Sequence, residues 1–207
     1  IYTQHPYRWP TIGAGIQHIE EAVLEDVKAF FAKYYVPANA ILVLAGRVTF
    51  AEAKALAEKW FGPIPGGNKP VRQLPKEPVQ TEDRRMEIVD KVPSNRFYKA
   101  YPVPGRYDEG FYAIDLMSDL LGRGESSYLY EQLIQKQRIF DSIGTYQTSS
   151  NDPGLLIIQG QVSDDVTIEE AELALEQVLR DFAETKSQIK NCRWSKISQK
   201  LAWFLGK

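Results

Sequence analysis

A segment rich in proline and glycine, residues 62–81, constrains the fold of this 207-residue chain more than any other feature. It contains Pro63, Pro65, Pro70, Pro75 and Pro78, together with Gly62, Gly66 and Gly67. Proline fixes φ and lacks a backbone N–H, so this composition is typical of a semi-rigid linker and not of a helix or a central strand. The sequence therefore predicts two structured parts, residues 1–65 and 84–207, joined by a linker over residues 66–83.

Three structural elements are predicted before the linker. Apolar side chains at helical spacing predict a helix between about residues 20 and 34. The short apolar segment "AILVLAG", residues 40–46, is predicted to be a buried strand. Thr49 and Glu52 form the capping-box pattern of a second helix, which we expect to end at Gly62.

Beyond the linker, the sequence predicts strands that arrive in pairs. The first pair is "RMEIVDKV" and "RFYKAYPVP", while "DSIGTYQTSS" and "GLLIIQGQV" flank the turn sequence "NDPG" as a hairpin. Helices are expected over residues 108–122, with Asp108 as the N-cap, and from Ser126 to about residue 137. Thr167 begins another helix with a capping box, and a basic helical stretch follows to the C-terminus. Paired strands favour an α+β fold, an antiparallel sheet with helices packed on one face.

Charge and cysteine content exclude several functional classes. Lys and Arg number 25 against 27 Asp and Glu, a net charge of -2, which gives no overall electrostatic reason to expect nucleic acid or an anionic membrane as a partner. The single cysteine, Cys192, excludes an internal disulfide and a cysteine-rich zinc site. Because the chain begins at Ile1, with no charged leader followed by an apolar stretch, we interpret it as a segment of a longer protein.

Neither histidine has the sequence neighbours that a zinc site needs. A helical zinc peptidase site uses His-x-x-Glu-His, because positions i and i+4 place both imidazoles on one face. The stretch "HIEEA" offers His18 and Glu21 but has Ala22 in place of the second histidine, so we expect His18 to be a surface residue near a helix start. His5, within "HPYRWPTIG", has aromatic neighbours and no carboxylate within motif distance, so we expect a packed or hydrogen-bonded loop histidine.

Three further patterns are weak candidates for a site. The stretch "GRGESS", residues 122–127, resembles a phosphate-binding loop, but it follows a helix and lacks a lysine, so a helix-to-helix turn is the better interpretation. Cys192 has basic neighbours but no histidine near it in sequence. From Thr185 to Lys207 there are six basic residues and no acid, and a solvated helix face is favoured over a docking surface for acidic lipid or protein. The residues alone thus predict no catalytic, cofactor-binding or metal-binding residue in this chain.

Three segments, taken together, resemble a known family. The segments "HPYRWPTIG", "FFAKYYVPANAILVLAGRVTFAEAKALAEKWFGPIP" and "LLGRGESSYLYEQLIQKQRIFDSIGTY" are similar, in order and spacing, to the C-terminal part of one half of a pitrilysin or insulinase-type (M16) zinc peptidase. The resemblance runs from about residue 5 to residue 184. It implies the M16 or LuxS-like metallohydrolase fold, in which each half has two similar α+β domains and two halves close around an extended peptide.

The resemblance also implies that this segment is not catalytic. The family's zinc ligands, His-x-x-Glu-His and a more distant Glu, lie upstream of the "HPYRWPTIG"-like stretch, so zinc is expected in the parent protein and no cofactor in this segment. The family's substrate-contacting Arg and Tyr align with Ile134 and Asp141, whose side chains cannot make those contacts. Residues 1–65 would then be the closing helix, strand and helix of a preceding catalytic domain, and residues 84–207 a second, non-catalytic domain that stops before its own closing unit.

The expected function is therefore that of an inactive domain of an M16 zinc metallopeptidase. It would shape the peptide-binding chamber and contact the partner half, while the parent would cleave peptides or unfolded polypeptides with a zinc-activated water. The alternative is a structural or binding subunit whose parent has no peptidase activity, as in processing peptidases and respiratory complexes. The resemblance implies a location in the bacterial periplasm or cell envelope. We also expect residues 1–61 to dock on the sheet built from residues 84–162, in the same chain or in a second copy.

Overall fold

The computed structural model describes the backbone of residues 1–187 and the side chains up to residue 184. The chain divides into two compact units, Ile1–Ile88 and Val89–Lys207. The division falls after the proline-rich segment, so that this segment belongs to the first unit. The basic stretch predicted to be a C-terminal helix lies almost entirely outside the described residues, as does Cys192.

The first unit is helical, and its helices follow the predicted pattern. Helix α1 covers Gln17–Glu20, α2 covers Leu24–Tyr34 and α3 covers Phe50–Phe61. At the start of α3 the Thr49 N–H donates to Glu52 Oε2 at 3.0 Å, and the Glu52 N–H donates to Thr49 Oγ1 at 3.3 Å. These bonds satisfy two N–H groups that would otherwise lack partners at the helix end, so the predicted capping box is confirmed.

Two of the predicted strands are wrong. Residues 40–46 and 85–92 belong to no strand, and their apolar side chains lie open to solvent, as for Ile41 at 92% and Val43 at 79% exposure. An apolar segment becomes a strand only where a neighbouring strand supplies hydrogen bonds, and the sheet described below includes neither segment. The expected docking of residues 1–61 on a sheet built from residues 84–162, in the same chain or in a second copy, stays a prediction.

The second unit is an α+β structure, as predicted. Along the chain it has β1 (Arg96–Val103), α4 (Phe111–Gly122), a π-helix (Tyr130–Lys136), β2 (Phe140–Gln147), β3 (Gly154–Val162) and α5 (Ile168–Ser187). The three strands form an antiparallel sheet in the order β1-β3-β2. The hairpin around "NDPG" is confirmed, and the capping box of α5 forms between Thr167 and Glu170.

Two predicted helix starts differ from the observed ones. Asp108 is not the N-cap of α4: that position is taken by Gly110, whose φ of 96° lies in the left-handed region that suits glycine. The Asp108 carboxylate instead accepts the Gly105 N–H at 2.9 Å and closes the turn before the helix. The helix expected from Ser126 to about residue 137 is present, but it is a π-helix over Tyr130–Lys136 and Ser126 is not its N-cap.

The described helices of the second unit pack on one face of the sheet. Lys99 of β1 and Thr145 of β2 both lie opposite Ile158 of the central strand, and hence on the same face. Thr145 Oγ1 donates to the Ser118 carbonyl of α4 at 2.6 Å, and Lys99 Nζ lies 2.6 Å from Glu176 Oε1 of α5. The core lies between this face and the helices, and among the described residues of the second unit no helix packs on the opposite face of the sheet.

Candidate functional surface

The face of the sheet opposite the helices presents two exposed tyrosines, and we name it the open face. Because side chains alternate along a strand, Tyr98 of β1 and Tyr146 of β2 both point to this side. Tyr98 is 61% exposed and Tyr146 is 44% exposed. Between them, the central strand β3 contributes Ile157 and Gln159.

The register arranges these side chains in rows across the sheet. Tyr98 lies opposite Gln159, and Tyr146 lies opposite the half-buried Ile157. The surface therefore combines aromatic rings and an aliphatic side chain with amide and hydroxyl groups, which can donate and accept hydrogen bonds. Sequence reasoning missed this surface, although the period-two alternation of "RFYKAYPV" already places Tyr98 on the face away from Phe97 and Lys99.

His5 is a structural residue of the N-terminal loop, as predicted. Its side chain is 5% exposed, and Nδ1 accepts the Tyr7 N–H at 3.2 Å at the start of a short 3-10 turn over Pro6–Arg8. The His5 ring lies 4.3 Å from the ring of Tyr7 and 6.0 Å from the ring of Tyr2, measured between centroids. Burial raises the pKa of Tyr2 to about 12, and Tyr7 and Glu77 add to the shift. Tyr2 is thus protonated at neutral pH.

His18 and the "GRGESS" stretch lie in ordinary helix and turn positions. His18 is exposed on the four-residue helix α1, near the helix start as predicted. Of residues 122–127, Gly122 ends α4 and residues 123–127 form the turn before the next helical residues, with a φ of 79° at Gly124. The helix-to-helix turn predicted for "GRGESS" is confirmed.

The two positions aligned with the family's substrate contacts are used for packing and strand pairing. Ile134 is half-buried and packs against the core. The Asp141 carboxylate accepts the Ser163 hydroxyl at 2.7 Å and the Gln161 side-chain N–H at 3.4 Å. Asp141 lies at the irregularity in the pairing between β2 and β3, so these bonds hold the bulge.

Four of the pKa shifts among the described residues belong to helix caps and packed tyrosines, and the fifth belongs to Glu77, whose carboxylate accepts hydrogen bonds from the N-terminal loop. Hydrogen bonds from Thr49 lower the pKa of Glu52, and those from Thr167 lower the pKa of Glu170. Burial raises the pKa of Tyr128, whose ring packs 5.1 Å from that of Phe182, and the nearby Asp181 adds to the shift. These groups hold helix ends and core contacts, and their positions do not pair a general acid with a general base.

Two kinds of feature are absent from residues 1–187, the part of the chain that the structure describes. In that range no three histidine, cysteine or carboxylate side chains come together as a metal site would require. Nor does any described helix combine the length and apolar character needed to cross a membrane. Cys192 and the basic residues near the C-terminus lie beyond this range.

Comparison with known proteins identifies the family. Residues 22–192 match the model of the peptidase M16 inactive domain. The zinc protease PqqE of Helicobacter pylori is 31% identical over 160 residues, which are 75% of this chain and 36% of that protein. The chain therefore spans little more than a third of the length of this curated relative.

Two solved structures have similar folds over the whole chain. A protease from Helicobacter pylori superposes with a TM-score of 0.72 at 26% identity, covering 100% of this chain and 51% of that one. A peptidase M16 inactive domain from Pseudomonas fluorescens superposes with a TM-score of 0.75 at 19% identity, covering 100% and 52%. Because the family model matches residues 22–192, which are most of the chain, this chain belongs to the peptidase M16 inactive-domain family.

Proposed function

We propose that this chain is the non-catalytic domain of a zinc metallopeptidase, in which it shapes the peptide-binding chamber and contacts the partner half. The observation that carries the proposal is the open face, a sheet surface with Tyr98 and Tyr146 exposed, in a member of the inactive-domain family. The substrate would be a peptide or an unfolded polypeptide. Zinc would be bound in the parent protein and not by this segment.

The chemistry of the open face suits an extended peptide of varied sequence. Tyr98 and Tyr146 offer flat apolar area and a hydroxyl at low cost in side-chain entropy. Gln159, between them on β3, can both donate to and accept from a peptide backbone. Because rings and amides dominate the centre of this face, contacts would depend little on the charge of the substrate.

The domain organisation is part of the same proposal. Residues 1–65 would be the closing helix, strand and helix of a preceding catalytic domain, with residues 40–46 forming the strand only when they pair with the sheet of that domain. Residues 84–207 would be the second domain. The exposed apolar side chains of the first unit support this, for example Phe30 on α2 and Trp60 on α3. Large apolar side chains that are left exposed in this number are typical of an interaction site. A location in the bacterial cell envelope is proposed from the family resemblance.

The first test compares the 207-residue chain with the longer parent protein. Zinc content and chelator-sensitive cleavage of a mixed peptide library are measured on both. We expect zinc and cleavage in the parent alone. Zinc in neither protein would favour the alternative of a structural or binding subunit. Stoichiometric zinc with activity in the 207-residue chain would overturn the assignment of this segment as inactive.

The second test addresses the open face in the active parent. Tyr98→Ser and Tyr146→Ser should each raise KM by roughly two- to tenfold with little change in kcat, as expected for lost contacts of about 0.5–1.5 kcal/mol made equally in the ground and transition states. The matched control is Tyr107→Ser, because Tyr107 is 82% exposed but lies in the turn after β1. An equal effect at all three tyrosines, or none at Tyr98 and Tyr146, would contradict a substrate contact at this surface.

A further inference from the structure

Glu77 stands in the proline-rich segment, and its carboxylate binds the N-terminal loop. Oε1 accepts the backbone N–H of Thr3 at 2.5 Å and the Thr3 hydroxyl at 2.7 Å. Oε2 accepts the N–H groups of Gln4 at 2.9 Å and His5 at 2.8 Å. A carboxylate has about four acceptor positions, so both oxygens are fully used. Hydrogen bonds to an ionised acceptor are roughly twice as strong as neutral ones, so these four bonds are a substantial attachment.

The loop that Glu77 binds is itself fixed. His5 is buried, and its imidazole forms a cluster with the rings of Tyr2 and Tyr7, in which each pair of ring centroids lies 4.3–6.0 Å apart. Within the same loop, Arg8 Nη1 donates to the Thr3 carbonyl at 3.3 Å. Because the backbone N–H donors of residues 3–5 belong to a packed loop, their directions are set before the Glu77 carboxylate binds them. Little further ordering is needed to form the bonds.

The proline-rich segment and the residues that follow it also contact the first unit elsewhere. Near its start, the Ala38 N–H donates to the Gly66 carbonyl at 2.9 Å. Gly67 has a φ of 66° and lies so close to Val36 that a Cβ there would be 2.7 Å from the Val36 side chain. Near its end, Arg84 Nη1 donates to the Ile1 carbonyl at 3.0 Å. Glu77 lies between these points in sequence, and its carboxylate accepts four hydrogen bonds.

We propose that Glu77 is a clasp that fastens residues 66–84, named here the strap, to the N-terminal loop. The strap is then a fixed part of the first unit and not a flexible tether. Its prolines favour this role, because each removes backbone freedom that ordering would otherwise cost. Glu77 acts as a positioning residue: it sets the path of the strap and thus the point at which the chain leaves the first unit.

Limited proteolysis of the full 207-residue chain tests the clasp. Trypsin cleavage after Arg72, inside the strap, is followed by mass spectrometry in the wild type, Glu77→Gln and Glu82→Gln. Arg72 is chosen because Lys69 precedes Pro70 and Lys76 adjoins the mutated residue. Glu77→Gln should speed this cleavage at least about tenfold, because losing the charge-assisted bonds lets the strap open more often. Glu82→Gln makes the same charge change at an exposed strap position and should leave the rate unchanged.

A second measurement does not depend on the variant folding. Amide hydrogen exchange in the wild type should show the N–H groups of Thr3, Gln4 and His5 protected at neutral pH. In a separate variant, Thr3→Val should weaken the clasp only partly, because it removes the hydroxyl bond alone. Exchange of these three amides at the rates of a free peptide would overturn the proposal. Equal cleavage after Arg72 in Glu77→Gln and Glu82→Gln, with both variants folded by circular dichroism, would overturn it as well.

Discussion

Gly160→Ala should destabilise the second unit by a clash with one identified ring. Gly160 lies on the helix-covered face of β3, and a Cβ there would be 2.6 Å from Cδ1 and 2.9 Å from Cε1 of Phe140. Optimal carbon contacts are about 3.5–4.0 Å, so the overlap is about 1 Å. Phe140 is 1% exposed and its ring meets that of Phe97 edge-on at 6.3 Å, so it has no free space to enter.

The expected cost of Gly160→Ala follows from overpacking in a close-packed core, about 1–3 kcal/mol. For a unit of this size that corresponds to a fall in Tm of roughly 3–6 °C per kcal/mol. Phe140→Leu removes the ring and should itself cost about 1–2 kcal/mol. If the ring is what the new methyl group meets, the double variant is more stable than the sum of the single effects by at least about 1 kcal/mol.

The measurement is thermal and urea unfolding of the wild type, both single variants and the double variant, followed by far-ultraviolet circular dichroism. The double-mutant cycle separates the clash with Phe140 from any general cost of a side chain at position 160. A residual clash is expected in the double variant, because the same Cβ lies 3.0 Å from the Ser142 carbonyl. Additivity within about 0.3–0.5 kcal/mol would refute the reasoning, since independent sites behave that way.

Lys99→Met should lower the stability of the second unit by about 1 kcal/mol at low salt and by less at high salt, because it leaves Glu172 and Glu176 without their shared cation; unfolding at two salt concentrations checks this. Gln147→Met should raise stability by about 1 kcal/mol, because both polar side-chain atoms of Gln147 are buried and find no hydrogen-bond partner among the described residues; a fall in Tm would contradict it. Partial desolvation opposes the shift at Glu77, but hydrogen bonds from His5, Thr3 and Gln4 outweigh it and lower the pKa from 4.5 to about 2. Glu77 thus contributes stability that is present above pH 4.5 and is lost as the pH falls towards 2, and a carboxyl titration followed by NMR with a midpoint near 4.5 would refute this.

Elements encoded by near neighbours could be predicted from the sequence. The capping boxes that begin α3 and α5 involve residues three positions apart, and the hairpin of β2 and β3 is set by a short turn. The π-helix could not be predicted, because it differs from an α-helix only in its hydrogen-bond spacing. The Gln137 N–H, for example, bonds to the Gln132 carbonyl at 3.2 Å, and no residue type marks that change.

The candidate surface required information that a local pattern does not contain. Tyr98 and Tyr146 belong to the two outer strands, and they share a face only because each strand pairs with β3 in one particular register. A shift of one residue would turn either ring towards the core. The interpretation of His5 as a packed loop residue needed no such information, since its aromatic and proline neighbours are adjacent in sequence.

The composition of the exposed segment 40–46 is suited to contacts with a partner that this chain does not contain among its described residues. "AILVLAG" has the composition of a buried strand, yet Ile41 and Val43 are almost fully exposed. Natural proteins protect exposed strand edges with charges, prolines or bulges, and this segment contains no charge and no proline. A segment that lacks charges and prolines is suited to a strand whose edges are paired with neighbouring strands in the assembled protein. The prediction of a strand was therefore wrong because no neighbouring strand pairs with this segment, although its composition is that of a strand. Its exposed apolar side chains support the proposal that a preceding domain provides the missing strand.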